Sequence, residues 1–162
     1  MSEWTPGGEA LTDLILQTFR VHGDLLAAGD RIAGKHGQSS ARWQVLGAID
    51  ADAETVPGIA RAMGLTRQSV QRTVDLLGAD GLVRYRDNPA HRRSKLVEMT
   101  PKGRKIYDAI TSEQVEWVNG VSRRMNAHIQ QMRDALDVLR RLGVVLETME
   151  MAPAKITRRP VR

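Results

Sequence analysis

Six residues within the seven-residue stretch "TRQSVQR" carry side chains that fit the edges of base pairs: Thr66, Arg67, Gln68, Ser69, Gln71 and Arg72. Arginine can pair with guanine through two hydrogen bonds, glutamine with adenine in the same way, and serine with either. A second group lies further along, in "YRDNPAHRRSKLVEMT". It comprises Arg86, His91, Arg92, Arg93 and Lys95, crowded around a turn that contains proline. From Arg84 to Lys95 there are five Arg or Lys and one acid, Asp87. A solvated loop needs no such density of cations, whereas a loop that must reach a polyanion does.

These side chains need elements to hold them. Thr66 is placed to cap a helix over about 67–77, with Val70, Val74 and Leu77 inward and the base-reading residues outward. A shorter helix precedes it, opened at Thr55 or Val56 with Pro57 in its first turn, where a missing N–H costs least. Gly64 ends that helix, because a residue without Cβ takes up a left-handed conformation easily. Ala60, four residues before Gly64, lets the two helices approach, and Ile59, Met63 and Val70 face the core. This spacing is the helix-turn-helix pattern. Residues 82–85 and 95–99 read as short strands joined through Asn88-Pro89, so the cations sit on a β-hairpin. A helix-turn-helix followed by a basic hairpin is a winged helix, in which the wing reaches the adjacent minor groove or backbone.

The flanking chain is helical. A stripe from Leu11 through Phe19 and His22 to Ala33 recurs at three- and four-residue steps over about 9–35. Ser39 or Ser40 caps a second helix, about 41–51, and both hydroxyls are candidates for contact with a DNA backbone. Thr100-Pro101 starts a long helix to Met125, with Ile106, Ile110, Trp117 and Val121 on one face. The last helix, about 127–150, places Ile129, Met132, Leu136, Leu139, Gly143 and Leu146 on a heptad seam, the pattern of lengthwise packing on another helix. The expected fold is mostly α with a small β-hairpin wing: a winged helix-turn-helix with long terminal helices, whose apolar stripes pack either on a second chain or in an intramolecular bundle. The organisation is a flexible arm (1–8), an N-terminal helix (9–36), the DNA-binding domain (37–100), C-terminal helices (101–150) and a basic flexible tail (151–162).

Composition narrows the alternatives. The chain of 162 residues has a net charge of +5 and a pI near 10.1, compatible with nucleic acid but not diagnostic of it. It has no cysteine, which excludes disulfides and thiolate metal sites. Its four histidines show no pair at ligand spacing. No nucleophile elbow, phosphate loop or metal motif is present, so neither enzyme activity nor a cofactor is expected. No apolar run is long enough to span a membrane and no secretory signal is visible, so a cytoplasmic location is expected.

The segments "SSARWQVLGAI" and "GIARAMGLTRQSVQRTVDLLGADGLVRYRDNPAHRRSKLVEMTPKG", with the long helices around them, resemble the MarR family of transcriptional regulators over about residues 9–150. The resemblance implies that the terminal helices (9–36 and 101–150) are dimerisation helices, which interlock into a homodimer on double-stranded DNA at a pseudo-palindromic operator, most often a repressor. It also implies a pocket near the reading head for a small aromatic or phenolic ligand, with Phe19, His22, Arg42, Trp43 and Leu46 as candidates. His22 alternatively reads as a histidine satisfied inside the core. The family wing commonly carries Asp-x-Arg, with the aspartate orienting an arginine in the minor groove. Here the triplet is His91-Arg92-Arg93. Arg93 matches the arginine, and either Asp87 takes the aspartate's place or His91 adds a pH-sensitive cation. A different reading is a winged helix that acts through protein contacts or coats DNA without sequence preference.

Overall fold

The computed structural model describes residues 3–91 and 93–151. Along these residues run α1 (Pro6–Gly34), α2 (Ser40–Ala48), β1 (Glu54–Thr55), α3 (Val56–Met63), α4 (Arg67–Ala79), β2 (Val83–Arg86), β3 (Leu96–Met99), α5 (Pro101–Met125) and α6 (Ile129–Met151). The chain divides into two compact units, Met1–Glu116 and Trp117–Arg162. Among the described residues no helix is long and apolar enough to cross a membrane.

The expected arm is shorter than the sequence suggests. Pro6, Gly7 and Gly8 form the first turn of α1, capped by Thr5, whose Oγ1 accepts the Gly8 N–H at 3.1 Å. The cap and the proline's preset φ outweigh the two glycines. Residues 1 and 2, Arg92, and the basic tail from residue 152 lie outside the described residues. Helix α2 stops at Ala48, short of the expected end at Ala51.

The helix-turn-helix forms as its spacing predicts. Gly64 takes φ 62°, ψ 32°, and the Leu65 N–H reaches back to the Ala60 carbonyl at 2.9 Å, closing α3. Thr66 then caps α4 by accepting the Ser69 N–H at 3.1 Å. Ile59, Ala60, Val70, Val74 and Leu77 join Val45, Leu46 and Ile49 of the α2 segment in one core with Leu82, Val83 and Val97 of the wing base.

The wing is a three-stranded antiparallel sheet in the order β1-β3-β2, not a two-stranded hairpin. Glu54 and Thr55 pair with Val97 and Leu96. Two residues are too few to show alternation, so β1 leaves no periodic signal. On the other side Arg84 stands opposite Glu98 and Tyr85 opposite Val97. Thr100 caps α5: its Oγ1 accepts the Gly103 N–H at 3.1 Å and donates to the Gly81 carbonyl at 2.8 Å.

The long helices leave apolar surface uncovered. In α1 burial is confined to Ala28, Gly29, Ile32 and Ala33, while Leu16, Phe19 and Leu25 are exposed. In α6, Ile129, Met132, Leu136, Leu139 and Leu146 keep between 37% and 66% of their surface exposed, so the heptad seam faces solvent within one chain.

Candidate nucleic-acid interface

All six residues singled out on the reading helix are exposed, and α4 presents them from its first two turns. Its capped N-terminus adds the positive end of a helix dipole. Among the described residues neither Arg67 nor Arg72 is engaged in an ion pair, so both guanidiniums are free to meet a base edge or a phosphate.

The wing sorts its cations into two kinds. Arg84 and Arg86 alternate on one face of β2 and share the Glu98 carboxylate, Arg86 through Nε at 3.0 Å. Arg86 is therefore partly neutralised, which reduces its expected part in DNA contact. Its strand register brings it there, and register is invisible in composition. Arg93 and Lys95 are exposed, and the ion pairs of the wing do not include them. Among the described residues no ion pair joins Asp87 to Arg93. The tip is shaped by Asn88, whose side chain accepts the Ala90 N–H at 3.0 Å and whose carbonyl accepts the His91 N–H at 3.2 Å. His91 is exposed beside this turn.

A cleft of about 670 Å³ separates α4 from the wing. Arg67, Gln68 and Gln71 line one side and Arg93, Ser94 and Lys95 the other. Asp75 and Tyr85, which the sequence reading missed, also line it. Gln71 Nε2 donates to Asp75 Oδ1 at 2.8 Å and to the Tyr85 hydroxyl at 2.7 Å, and Tyr85 donates to the same carboxylate oxygen at 3.1 Å. Burial raises the Tyr85 pKa; the Gln71 hydrogen bond opposes this and Asp75 adds to it, so the phenol stays protonated. The i, i+4 spacing of Gln71 and Asp75 was the available sequence signal. Tyr85 reaches the pair only through the sheet.

Two sets of candidates need correction. Ser40 is buried at 4% exposure: its N–H donates to Asp30 Oδ1 at 2.6 Å and its Oγ accepts from Gln44 at 3.3 Å. It packs where α1 crosses α2, against Gly29, whose place a Cβ could not share with the Ser40 hydroxyl. It cannot reach a phosphate. Ser39 is half-exposed, and its Oγ caps α2 by accepting the Arg42 N–H at 3.3 Å. The five pocket candidates are not all open to a ligand. Leu46 has no exposed surface and belongs to the core. Phe19 and His22 stand exposed on α1, so His22 is not a core histidine. Trp43 is half-buried. Arg42 is committed to an ion pair with Asp80 at the end of α4, which holds the Asp80 carboxyl below its ordinary range.

Comparison with known proteins decides the family. A model of the MarR family matches residues 36–94, the whole of the helix-turn-helix and most of the wing. The uncharacterised protein Rv2011c of Mycobacterium tuberculosis is 36% identical over 140 residues, covering 86% of this chain and 96% of the relative. The chain belongs to the MarR family. A more distant relative, the transcriptional activatory protein BadR of Rhodopseudomonas palustris, is 26% identical over 111 residues, 66% of this chain and 63% of BadR. The fold is shared with the M. tuberculosis transcriptional regulator MOSR, solved in complex with DNA. It superposes with a TM-score of 0.68 at 24% identity, over 83% of this chain and 96% of MOSR. As a MarR-family chain this protein is a DNA-binding transcription regulator and not an enzyme.

Proposed function

We propose that two copies of this chain bind a pseudo-palindromic operator, each placing α4 in a major groove and its wing in the adjacent minor groove, and that the complex represses transcription. The cleft between α4 and the wing carries this reading. A sugar-phosphate strand separates a major groove from its neighbouring minor groove. A protein that enters both must therefore let that strand pass between its two reading elements, and cations must line the passage. Arg67, Arg93 and Lys95 stand on the two walls. The reading helix supplies Thr66, Gln68, Ser69, Gln71 and Arg72, and the wing supplies Arg93 and Lys95 with His91 at its tip.

Dimerisation is supported by the uncovered apolar faces of α1 and α6, because a heptad seam exposed in one chain finds its natural cover in a second. One reading helix spans few base pairs, so a pair of heads gives the affinity that a specific site requires. A small aromatic ligand would release the operator by favouring a different spacing of the heads. Phe19 and His22, one turn apart on the open face of α1, offer it a ring and an imidazole.

The test has three arms. Gel shifts use DNA immediately upstream of the gene, with and without aromatic acids. Sedimentation measures the mass of the free protein, and a promoter fusion is read with and without the gene. Specific retardation, a dimer mass and higher transcription in the deletion support the reading. Binding that ignores sequence and follows salt alone points to a non-specific DNA coat. Lower transcription in the deletion makes the chain an activator, as BadR is named.

A further inference from the structure

Glutamine in a reading helix is usually credited with adenine, because its amide offers one acceptor and one donor to the N6 amino group and N7. That pairing requires a free N–H. In this chain both are already used.

The orientation of the Gln71 amide is fixed by chemistry. Asp75 Oδ1 accepts only, so the group 2.8 Å from it must be the NH2 and not the carbonyl oxygen. The same nitrogen lies 2.7 Å from the Tyr85 hydroxyl, whose own proton is directed to Asp75 Oδ1 at 3.1 Å. The triangle is closed. Two amide hydrogens meet two acceptors and the phenol proton meets the carboxylate. Gln71 is left with the lone pairs of Oε1, and Asp75 with those of its second oxygen. Both residues are exposed and line the cleft between α4 and the wing.

We propose that Gln71, Asp75 and Tyr85 form an acceptor-only reader, which selects a base with an exocyclic amino group in the major groove. Adenine N6 and cytosine N4 both qualify. Guanine and thymine, which present O6 and O4 acceptors there, face repulsion from lone pairs. Gln71 is the contacting residue, and Asp75 and Tyr85 are positioning residues that withhold its donors. This inference rests on the reading of α4 as a major-groove element given above. It adds a specificity that the residue type alone does not imply: adenine or cytosine at that position, with no use of adenine N7.

Operators are selected from randomised duplexes by the full-length wild type and by Gln71→Ala, Asp75→Ala and Tyr85→Phe, each first shown to melt as the wild type does. One position per half-site should lose its preference in Gln71→Ala. There the wild type should accept adenine and cytosine within about threefold of each other, and Asp75→Ala should favour adenine by about tenfold as the donors are released. If Asp75→Ala does not fold, Tyr85→Phe, which frees one N–H and keeps the ring, carries the same expectation. A duplex with 7-deazaadenine at that position, which lacks the N7 acceptor, should bind wild type within about twofold of the adenine duplex and the freed variant about tenfold more weakly. Strict adenine preference in the wild type, a loss on 7-deazaadenine, or an Asp75→Ala profile identical to wild type would each overturn the acceptor-only reader while leaving DNA reading intact. No enrichment at any position by the wild type would overturn major-groove reading itself.

Discussion

Replacing Arg93 with alanine separates the free cations of the wing from the paired ones. Arg93 is exposed and has no ion pair among the described residues, so its removal should not disturb folding. Arg86 sits 3.0 Å from Glu98, which Arg84 shares, so its charge is already compensated within the protein. Among the described residues of the reading helix and wing, Arg67, Arg72, Arg93 and Lys95 are the cations outside any ion pair, which gives about eight phosphate-neutralising charges in the proposed dimer and a slope of log K against log salt of about −7. Between 50 and 200 mM salt that slope removes about four decades of affinity, and Arg93→Ala, with about six charges left, should lose about three. At a fixed physiological salt the variant should bind its operator more weakly by about 1–3 kcal/mol per head, most of all where the flanks are A/T-rich with a narrow minor groove. Arg86→Ala should change the slope by less than half as much, because part of its charge is spent on Glu98. Fluorescence anisotropy over a salt series measures both. An Arg93→Ala slope equal to that of wild type, or an Arg86→Ala change as large as that of Arg93→Ala, would refute this division of the wing.

Thr66→Ala removes the side-chain acceptor for the Ser69 N–H and should cost about 1 kcal/mol, seen as a melting temperature lower by about 2–4 °C; no change would mean that water replaces the cap without loss. Gly64→Val asks a β-branched residue to hold φ 62° and should destabilise by at least about 1–2 kcal/mol in denaturant titration, more than Gly64→Ala; equal effects would argue against left-handed strain as the cause. Glu113 has its pKa depressed by hydrogen bonds first from Lys35 and then from His36, so the stability it adds is present above the ordinary carboxylate range and is lost as pH falls through its lowered folded-state value. Glu113→Gln should accordingly flatten the acid limb of a melting-temperature profile below about pH 4.5 and leave its shape above that unchanged; a parallel offset at every pH would contradict the linkage. Leu139→Glu places a charge on the α6 seam and should yield a monomer at micromolar concentration by sedimentation; a persisting dimer would locate the contact elsewhere.

The sequence was most informative where a residue's neighbours along the chain dictate its role. Ala60, Gly64, Thr66 and Val70 announce the helix-turn-helix because turn, cap and packing lie within one short segment, and α4 begins where Thr66 says it should. Thr100-Pro101 likewise marked the start of α5. Reading failed where a tertiary crossing decides. Ser40 looks like any hydroxyl at a helix start, and only the passage of α1 at Gly29 buries it. Arg86 and Glu98 meet through strand register, and Arg42 and Asp80 meet where α2 packs beside the end of α4, so neither pair could be found by counting along the chain. His22 failed in the opposite sense. Its apolar stripe suggested an interior, but in one chain the stripe is buried only at its last two turns.

The connection between α1 and α2 turns at Gly37, a natural place for a hinge, with φ 67°. Yet the Asp30 carboxylate bridges that turn to the Ser40 N–H at 2.6 Å, and two residues further on Arg42 fastens the start of α2 to Asp80 at the far end of α4. These two struts make the first helix, the bend and the reading helix a single crank. In the dimer proposed above, a tilt of α1 would be carried through these two links to α4, and so would change the distance between the two reading helices without any part of either head having to melt.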